Sequence, residues 1–454
     1  MHRSTLKVVA IVLAGALVPA ACLAGVAPAA DSAGAPIGLS LAQAVSLAAG
    51  STPAVQVAAL RTNEAEARLG QARAALLPSF SGSAFSLERT YSFKATGFTF
   101  PSIPGFSIPD LLGPVEQVDV RLRASQSLVD AASWVRLRSA GLGVGVSRAE
   151  GSGAAETAAQ SVAAAYVRAA RATAVESARE ADLDLARQLA SLAEDQMKAG
   201  TAARIDVIRS RTQEVAARGA LLVAQNQDAR ASIDLARALG LDPGVRFALS
   251  DTLSTTVGSS TAPVEADAAV TLALAQRPEL AAERSRLARA NAEKQAIQAE
   301  RLPRLDLSAD YGLSGAHPDD ALATRTVMLA ASMPIFDGLR REGRIAEQGA
   351  LAREAEVREH DLRQQIAAEV RGAVLDVSSG LEQESVAMER LRLAEEELSQ
   401  ARERFTSGVA GNIEVINAQS SLLRARDAVI DARTATAAAR IALARAVGVA
   451  RTVR

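Results

Sequence analysis

The 454-residue chain has one cysteine, Cys22, so no intrachain disulfide can form. Its three histidines, His2, His317 and His360, lie far apart in sequence. There is no HExxH, no paired CxxC and no glycine-rich phosphate loop. These absences leave no cofactor to expect and make an enzyme the weakest reading. A net charge of −1 supplies no basic surface for nucleic acid. Aromatic residues are 3% of the chain, and beyond residue 30 no run of 18 apolar residues occurs, so no transmembrane helix is predicted there.

At the N-terminus, His2, Arg3 and Lys7 precede an apolar run from Val8 to Val18 and the small-residue stretch PAACLAGVAPAA. The run is too short to span a bilayer and reads as a secretory signal peptide over residues 1–30, with an Ala27-Pro28-Ala29 cleavage site. PAAC also resembles a lipobox, with Pro19 where such boxes carry Leu, which makes Cys22 a candidate lipidation site. The alternative is a cysteine discarded with the signal.

The rest of the chain is duplicated. MKAGTAARIDVI, starting at Met197, has its copy in FTSGVAGNIEVI, starting at Phe405, and Gly200, Ile205 and Gly240 match Gly408, Ile413 and Gly448, each pair 208 apart. Pro53 and Pro78 match Pro278 and Pro303 at a separation of 225, and ASQSLVDA (Ala124 to Ala131) matches ASMPIFDG (Ala331 to Gly338) at 207. The first copy is longer by 18 residues between Pro78 and Ala124. A period of this length is too long for a solenoid unit and implies one fold of two like halves. The expected organisation is a first repeat over 37–240 with its strand pair at 79–130, an equatorial linker over 241–265, and a second repeat over 266–449 with its strand pair at 304–336.

Most of both copies is rich in Ala, Arg, Leu, Glu and Gln and reads as helix. Helices are predicted over about 41–76, 133–198 and 203–239, and again over about 267–301, 339–406 and 412–447. Ser40 and Gln43 form a capping-box pattern, Pro78 a stop, and Gly200 and Gly408 tight turns. The longest stretch would reach about 100 Å at 1.5 Å per residue. Gly141, Gly143, Gly145, Gly151 and Gly153 predict bending or fraying near its start. Interior Ala and Ser would let long helices approach closely along a seam.

Between helices the period changes to two. VDVRLRAS (Val118 to Ser125) puts Val118, Val120, Leu122 and Ala124 on one face and Asp119, Arg121, Arg123 and Ser125 on the other. RLDLSADYGLSG (Arg304 to Gly315) separates Leu305, Leu307, Ala309, Tyr311 and Leu313 from Asp306, Ser308, Asp310 and Gly312. Weaker alternation marks Ser79 to Tyr91 and Thr326 to Met333. Loops are expected over about 92–117 and 314–325, and Asp130 and Asp337 are placed to cap the helices that follow. Such strands on a secreted chain without a membrane helix fit an outer-membrane barrel, or a small soluble sheet with one face on a core. Four strands cannot close alone, so a barrel would take several chains, with 8, 12 or 16 strands. Its lumen would carry Arg121, Arg123, Asp306 and Asp310. The apolar, proline-rich segment from Thr96 to Pro114 would fold over the mouth or touch a neighbouring chain, or else be a surface loop.

The paired TP…LLP and RP…RLP blocks, QSLVDA with MPIFDG, and FTSGVAGNIEVINAQSSLLRAR with its copy together resemble the outer-membrane efflux proteins, the TolC-type exit ducts, over roughly residues 37–449. The resemblance implies a mostly α fold with a small transmembrane β part. A homotrimer would hold a 12-stranded barrel, four strands per chain, in outer-membrane lipid, with a long antiparallel α-helical tunnel extending into the periplasm. It further implies a passive duct, in a tripartite efflux pump or a type I secretion system, that meets a periplasmic adaptor (membrane fusion) protein and an inner-membrane pump. The tips, around Gly200 and Thr201 and around Gly408 and Val409, would dock the adaptor. The family's periplasmic gate maps to Glu414 and Asn417 in the second copy, with Asp206 and Arg209 at the matching positions of the first. Asn417 replaces an acid of the family pattern, and Ala410 stands where a basic residue is common in the turn, which weakens a second ring and a latch there. Solvated outer-face charges are the plain alternative for Glu414 and Asp206. A non-pore periplasmic or surface coiled-coil scaffold is the competing function.

Overall fold

The structure, a computed structural model, describes residues 37–92, 95, 111–253 and 257–454. The expected signal peptide with Cys22, and residues 96–110 of the proline-rich segment, lie outside the described residues.

Each copy has the same helices. The first has α1 (Leu41–Ser51), α2 (Pro53–Ala74), α3 (Ala131–Lys198) and α4 (Arg204–Leu239). The second has α5 (Ala266–Gln276), α6 (Pro278–Ala299), α7 (Arg340–Thr406) and α8 (Asn412–Val447). Short strands β1 (Ile37–Leu39) and β4 (Phe247–Leu249) pair in parallel. The remaining strands, β2 (Ser79–Ser92), β3 (Leu111–Val129), β5 (Arg304–Gly315) and β6 (Leu322–Ser332), form one antiparallel sheet in the order β2-β3-β5-β6. The compact units cut across the repeats: one comprises the described residues of 67–140 and 290–349, the other those of 37–66, 141–289 and 350–454. Among the described residues no helix is long and apolar enough to cross a membrane.

Several start and stop signals act as expected. Ser40 Oγ accepts from the Gln43 amide at 3.2 Å while the Ser40 amide donates to Gln43 Oε1 at 3.0 Å, a closed capping box. Asp130 caps α3 by accepting from the Ser133 amide at 3.1 Å and from its hydroxyl at 2.6 Å. Asp337 instead accepts from the Arg341 guanidinium at 2.8 Å, and α7 starts at Arg340 after Gly338 and Leu339, both at positive φ. Arg341 holds the Asp337 carboxyl below the usual range.

Three expectations need correction. The helix expected over 41–76 breaks at Thr52 (ψ 145°), and the one expected over 267–301 breaks at Arg277 (ψ 117°). Both residues precede a proline, whose ring pushes them out of the α region. Residues Leu111 to Gln117, expected in a loop, are strand, with Leu111 opposite Ser92 and Gln117 opposite Leu87. The glycine run does not break α3. A Cβ at Gly145 would lie 3.6 Å from Ser285 Oγ, and one at Gly153 would lie 3.7 Å from the Pro278 ring. Both are ordinary van der Waals distances, so α6 packs against α3 here with room for a methyl group.

The helical unit is cored by Leu41, Val45, Val162, Tyr166, Leu280, Ile366 and Ile441, all nearly inaccessible. Buried alanines of α3 and α7, such as Ala159, Ala163, Ala394 and Ala401, supply the small-residue seam. Tyr166 is 0% exposed. Its hydroxyl is 2.9 Å from the Leu39 carbonyl and 3.0 Å from Asp251 Oδ2, which also accepts from the Leu41 amide at 2.6 Å. Burial pushes the phenol up to about 12. This knot ties β1 and the linker to the middle of α3. Tyr166→Phe leaves the buried Leu39 carbonyl and Asp251 short of a donor. It should cost about 1–3 kcal/mol, read as a lower midpoint in thermal unfolding followed by helical circular dichroism. At the other end of the chain, buried Glu156 accepts from the Ala450 amide at 2.6 Å and from Arg451 Nε at 2.7 Å, which fixes the C-terminal turn.

Candidate functional site

The candidate residues fall in two places, the paired helical tips and the sheet.

At each tip a helix ends on a glycine in the left-handed region, Gly200 at φ 77° and Gly408 at φ 71°. The hydrogen bonds repeat 208 residues apart. Gly200 donates to the Met197 carbonyl and Thr201 to that of Gln196, at 3.0 and 2.9 Å. Gly408 donates to Phe405 and Val409 to Arg404, at 3.1 and 3.0 Å. This is the Schellman closure, in which a residue without Cβ adopts positive φ and the last carbonyls are satisfied. Thr201 adds its hydroxyl to the Gln196 carbonyl at 3.0 Å, while Val409 is 72% exposed.

The two tips are held together beneath the turns. Asn412, 2% exposed, donates to the Asp206 carbonyl at 2.9 Å and to Ser210 Oγ at 2.7 Å, and Gln196 donates to the Phe405 carbonyl at 3.1 Å. Leu189, Leu398, Phe405, Val415 and Leu422 form a separate small core there. Further along the helices, almost buried Asp182 lies 2.9 Å from Arg179 and 2.7 Å from Arg426, and Arg179 grips Asp427 with two contacts of 2.6 and 2.7 Å. One guanidinium nitrogen, Arg179 Nη2, thus reaches both Asp427 oxygens, a charge-assisted link between α3 and α8.

The candidate gate residues differ between copies. Asp206 is the third residue of α4. Its carboxylate accepts from the Ala203 amide at 3.3 Å and stands 3.6 Å from Arg209, so its charge is balanced on its own helix. Glu414 occupies the same position in α8 and pairs with Arg404 of α7 at 3.3 Å, with the carboxylate 41% exposed. Asn417, where the first copy has Arg209, is exposed and gives Glu414 no local cation. Sequence reasoning looked for the basic partner at Ala410 and missed Arg404. The available signal was that Arg404 lies one helical turn before Gly408, where its side chain can reach back over the turn. Asn412 and Gln196 were missed as well.

In the sheet, directly opposed residues share a face. Arg121 faces Gly312 and Arg123 faces Asp310, while Asp306 faces Ser127, so Arg121, Arg123, Asp306 and Asp310 lie on one side. Arg121 donates to Asp119 at 2.8 Å and pairs with Asp310. Val120 opposite Leu313, and Leu122 opposite Tyr311, lie on the other side, where Leu122 and Tyr311 are 58% and 62% exposed. The weaker strands deviate. Phe85 and Leu87 share the polar face, opposite Asp119 and Gln117, and Arg325 shares the apolar face, opposite Tyr311. Among the described residues β2 and β6 are paired along one edge only, and no cluster of His, Cys, Asp or Glu is arranged to hold a metal.

The outer membrane efflux protein family model matches residues 44–241 and 269–449, one block in each repeat. Protein CyaE of Bordetella pertussis is 26% identical over 398 residues, covering 84% of this chain and 78% of CyaE. Among solved structures, the outer-membrane channel OprN matches with a TM-score of 0.74 at 20% identity, covering 90% of this chain and 89% of its own. The outer membrane protein VceC from Vibrio cholerae matches at 0.73 and 21% identity, covering 90% and 96%. At these identities the two structures establish the shared fold, and the family model establishes descent. The chain belongs to the outer membrane efflux protein family and is an outer-membrane transport protein, not an enzyme.

Proposed function

We propose that three copies close a 12-stranded barrel, β6 of one protomer pairing with β2 of the next, and form the passive exit duct of a tripartite efflux pump or a type I secretion system. The observation that carries this reading is the four-stranded sheet with one polar face, one exposed apolar face and an open edge on each side. Open edges are not tolerated in lipid, and closure by copies removes them. Arg121, Arg123, Asp306 and Asp310 then line the lumen. The tips dock the periplasmic adaptor, and the inner-membrane pump supplies the energy, since the chain carries no nucleotide motif.

The test is single-channel recording of the purified protein in planar bilayers, with a cysteine pair across the β6–β2 seam to trap the oligomer. Steady conductance and a cross-linked trimer are expected. A soluble periplasmic protein without conductance would restore the scaffold reading.

The two faces make a separate prediction. Leu307, opposite Gln126 and Leu329, takes the lipid side, and Ser308, opposite Ser125 and Met328, the lumen. Arginine on this face costs about 2–4 kcal/mol at the midplane; at Leu307, nearer the lower strand end, the cost should be smaller but should still exceed that at Ser308. Folding yield into vesicles under graded urea measures the difference, and equal tolerance at both positions would argue against a barrel.

A further inference from the structure

The apolar face of the sheet carries a cation. Strand β6 alternates Ala323, Arg325, Val327, Leu329 and Ala331 against Leu313, Tyr311, Ala309, Leu307 and Leu305 of β5. Arg325 is therefore set among residues that face hydrocarbon in the barrel proposed above. It is exposed, and among the described residues no ion pair or hydrogen bond engages it. The other described strand arginines lie on the polar face, Arg123 opposite Asp310. Arg121 has Asp119 and Asp310, Arg304 has Asp306 at 2.8 Å, and Arg89 lies over the Tyr91 ring at 4.8 Å.

An unpaired guanidinium on a lipid face is costly at the bilayer centre and cheap at its edge. Its height along the strand therefore matters. Arg325 stands six residues above Ala331 and three below the strand end at Leu322. At about 3.4 Å per residue and a tilt of about 40°, the upper strand end at Leu322 is about 8 Å above Arg325 and the lower end at Ser332 about 18 Å below it. In a band about 25 Å tall this is the outer third, on the side of the external hairpin. A long arginine stem can snorkel from there to the head groups. Tyr311 beside it is 62% exposed, an amphipathic ring of the kind found at that level.

The geometry points to Arg325 as a contact for the phosphate of an anionic lipid head group in the outer leaflet. The inference rests on the barrel reading. Guanidinium and phosphate match in charge and in fork geometry, and Tyr311 packs its ring on the acyl boundary while offering a hydroxyl to the same head group. The competing partner is a carboxylate of a neighbouring copy. Glu88 of β2, opposite Glu116, lies on the same face at the edge that would meet β6.

The experiment uses the full-length oligomer purified in detergent, as wild type, Arg325→Gln, Arg325→Lys and Glu88→Gln. Native mass spectrometry counts retained bisphosphorylated glycolipid and retained phosphatidylcholine, and inorganic phosphate is the free-anion control. Arg325→Gln should weaken glycolipid retention by about fivefold. Arg325→Lys should keep most of it, phosphatidylcholine should not distinguish the variants, and millimolar inorganic phosphate should not compete. Equal glycolipid retention by Arg325→Gln overturns the assignment, as does competition by free phosphate. Dissociation of the oligomer by both Arg325→Gln and Glu88→Gln also overturns it, in favour of an ion pair between copies. Bilayer conductance of the wild type is read separately. Its absence would overturn the barrel itself, whereas unchanged lipid retention with normal conductance would overturn only the role of Arg325.

Discussion

Valine in place of Gly408 should cut pump-dependent export by at least about tenfold while the oligomer still assembles, and asparagine at the same site should spare most of it. Gly408 sits at φ 71°, and a Cβ built there would meet no atom within 4 Å. Crowding therefore plays no part, and the whole penalty is that of an L-residue in the left-handed region, about 1–2 kcal/mol, worse for a β-branched side chain and milder for Asn. A penalty of that size cannot unfold helices anchored by buried Phe405 and Val415. It can depopulate the closed turn by about tenfold, and docking affinity falls with the competent fraction. Gly200 has the same φ region and the same open surroundings, so Gly200→Val should behave alike. Val409→Ser offers a second probe, because it keeps the turn and removes the exposed apolar knob. Export assayed in cells, together with trimer recovery from membranes, reads both effects. Export that survives valine at both glycines would remove the tips from docking.

That prediction could be framed because the tips are legible locally. A duplicated glycine, a helical pattern on either side and a constant 208-residue offset specify two Schellman turns without any tertiary information, and α4 and α8 are each 36 residues long. Strand faces were legible where both faces were chemically distinct, as in β3 and β5. In β2 and β6 they were not, since Phe85, Leu87 and Arg325 sit on faces of the opposite character and only the register assigns them. Pro53 and Pro278 push Thr52 and Arg277 out of the helical region, an effect that the strong helical pattern on both sides masks in the sequence. Partners brought from another helix were not readable at all. Arg404 with Glu414, Asn412 with Ser210, and Arg179 with Asp427 each require knowing which helices lie side by side. The first two decide how the candidate gate is held.

Replacing Glu414 with alanine should weaken block by trivalent cations by about tenfold and move the reversal potential in a salt gradient toward the non-selective value, and Glu414→Lys should reverse the preference. The reasoning starts from the unequal copies. Asp206 is covered by Arg209 on its own helix, whereas Glu414, with Asn417 at the matching place, pairs with Arg404 of α7, a contact at 3.3 Å between partly exposed groups. Exposed pairs of this kind contribute no more than about 1 kcal/mol, so the Glu414 carboxylate is the acid more easily turned toward an axial lumen. In the proposed trimer, three such carboxylates at a narrow low-dielectric constriction would focus the field and enrich cations locally by about tenfold or more. Arg404→Gln adds a discriminating arm. If Arg404 holds Glu414 away from the axis, its loss should deepen trivalent block, and the double variant Arg404→Gln with Glu414→Ala should lose that gain. A purely structural pair would instead lower the thermal midpoint of the tip without moving ion preference. Reversal potentials unchanged in Glu414→Ala and Glu414→Lys would take Glu414 out of the pore and leave it a solvated charge on the outer face of α8.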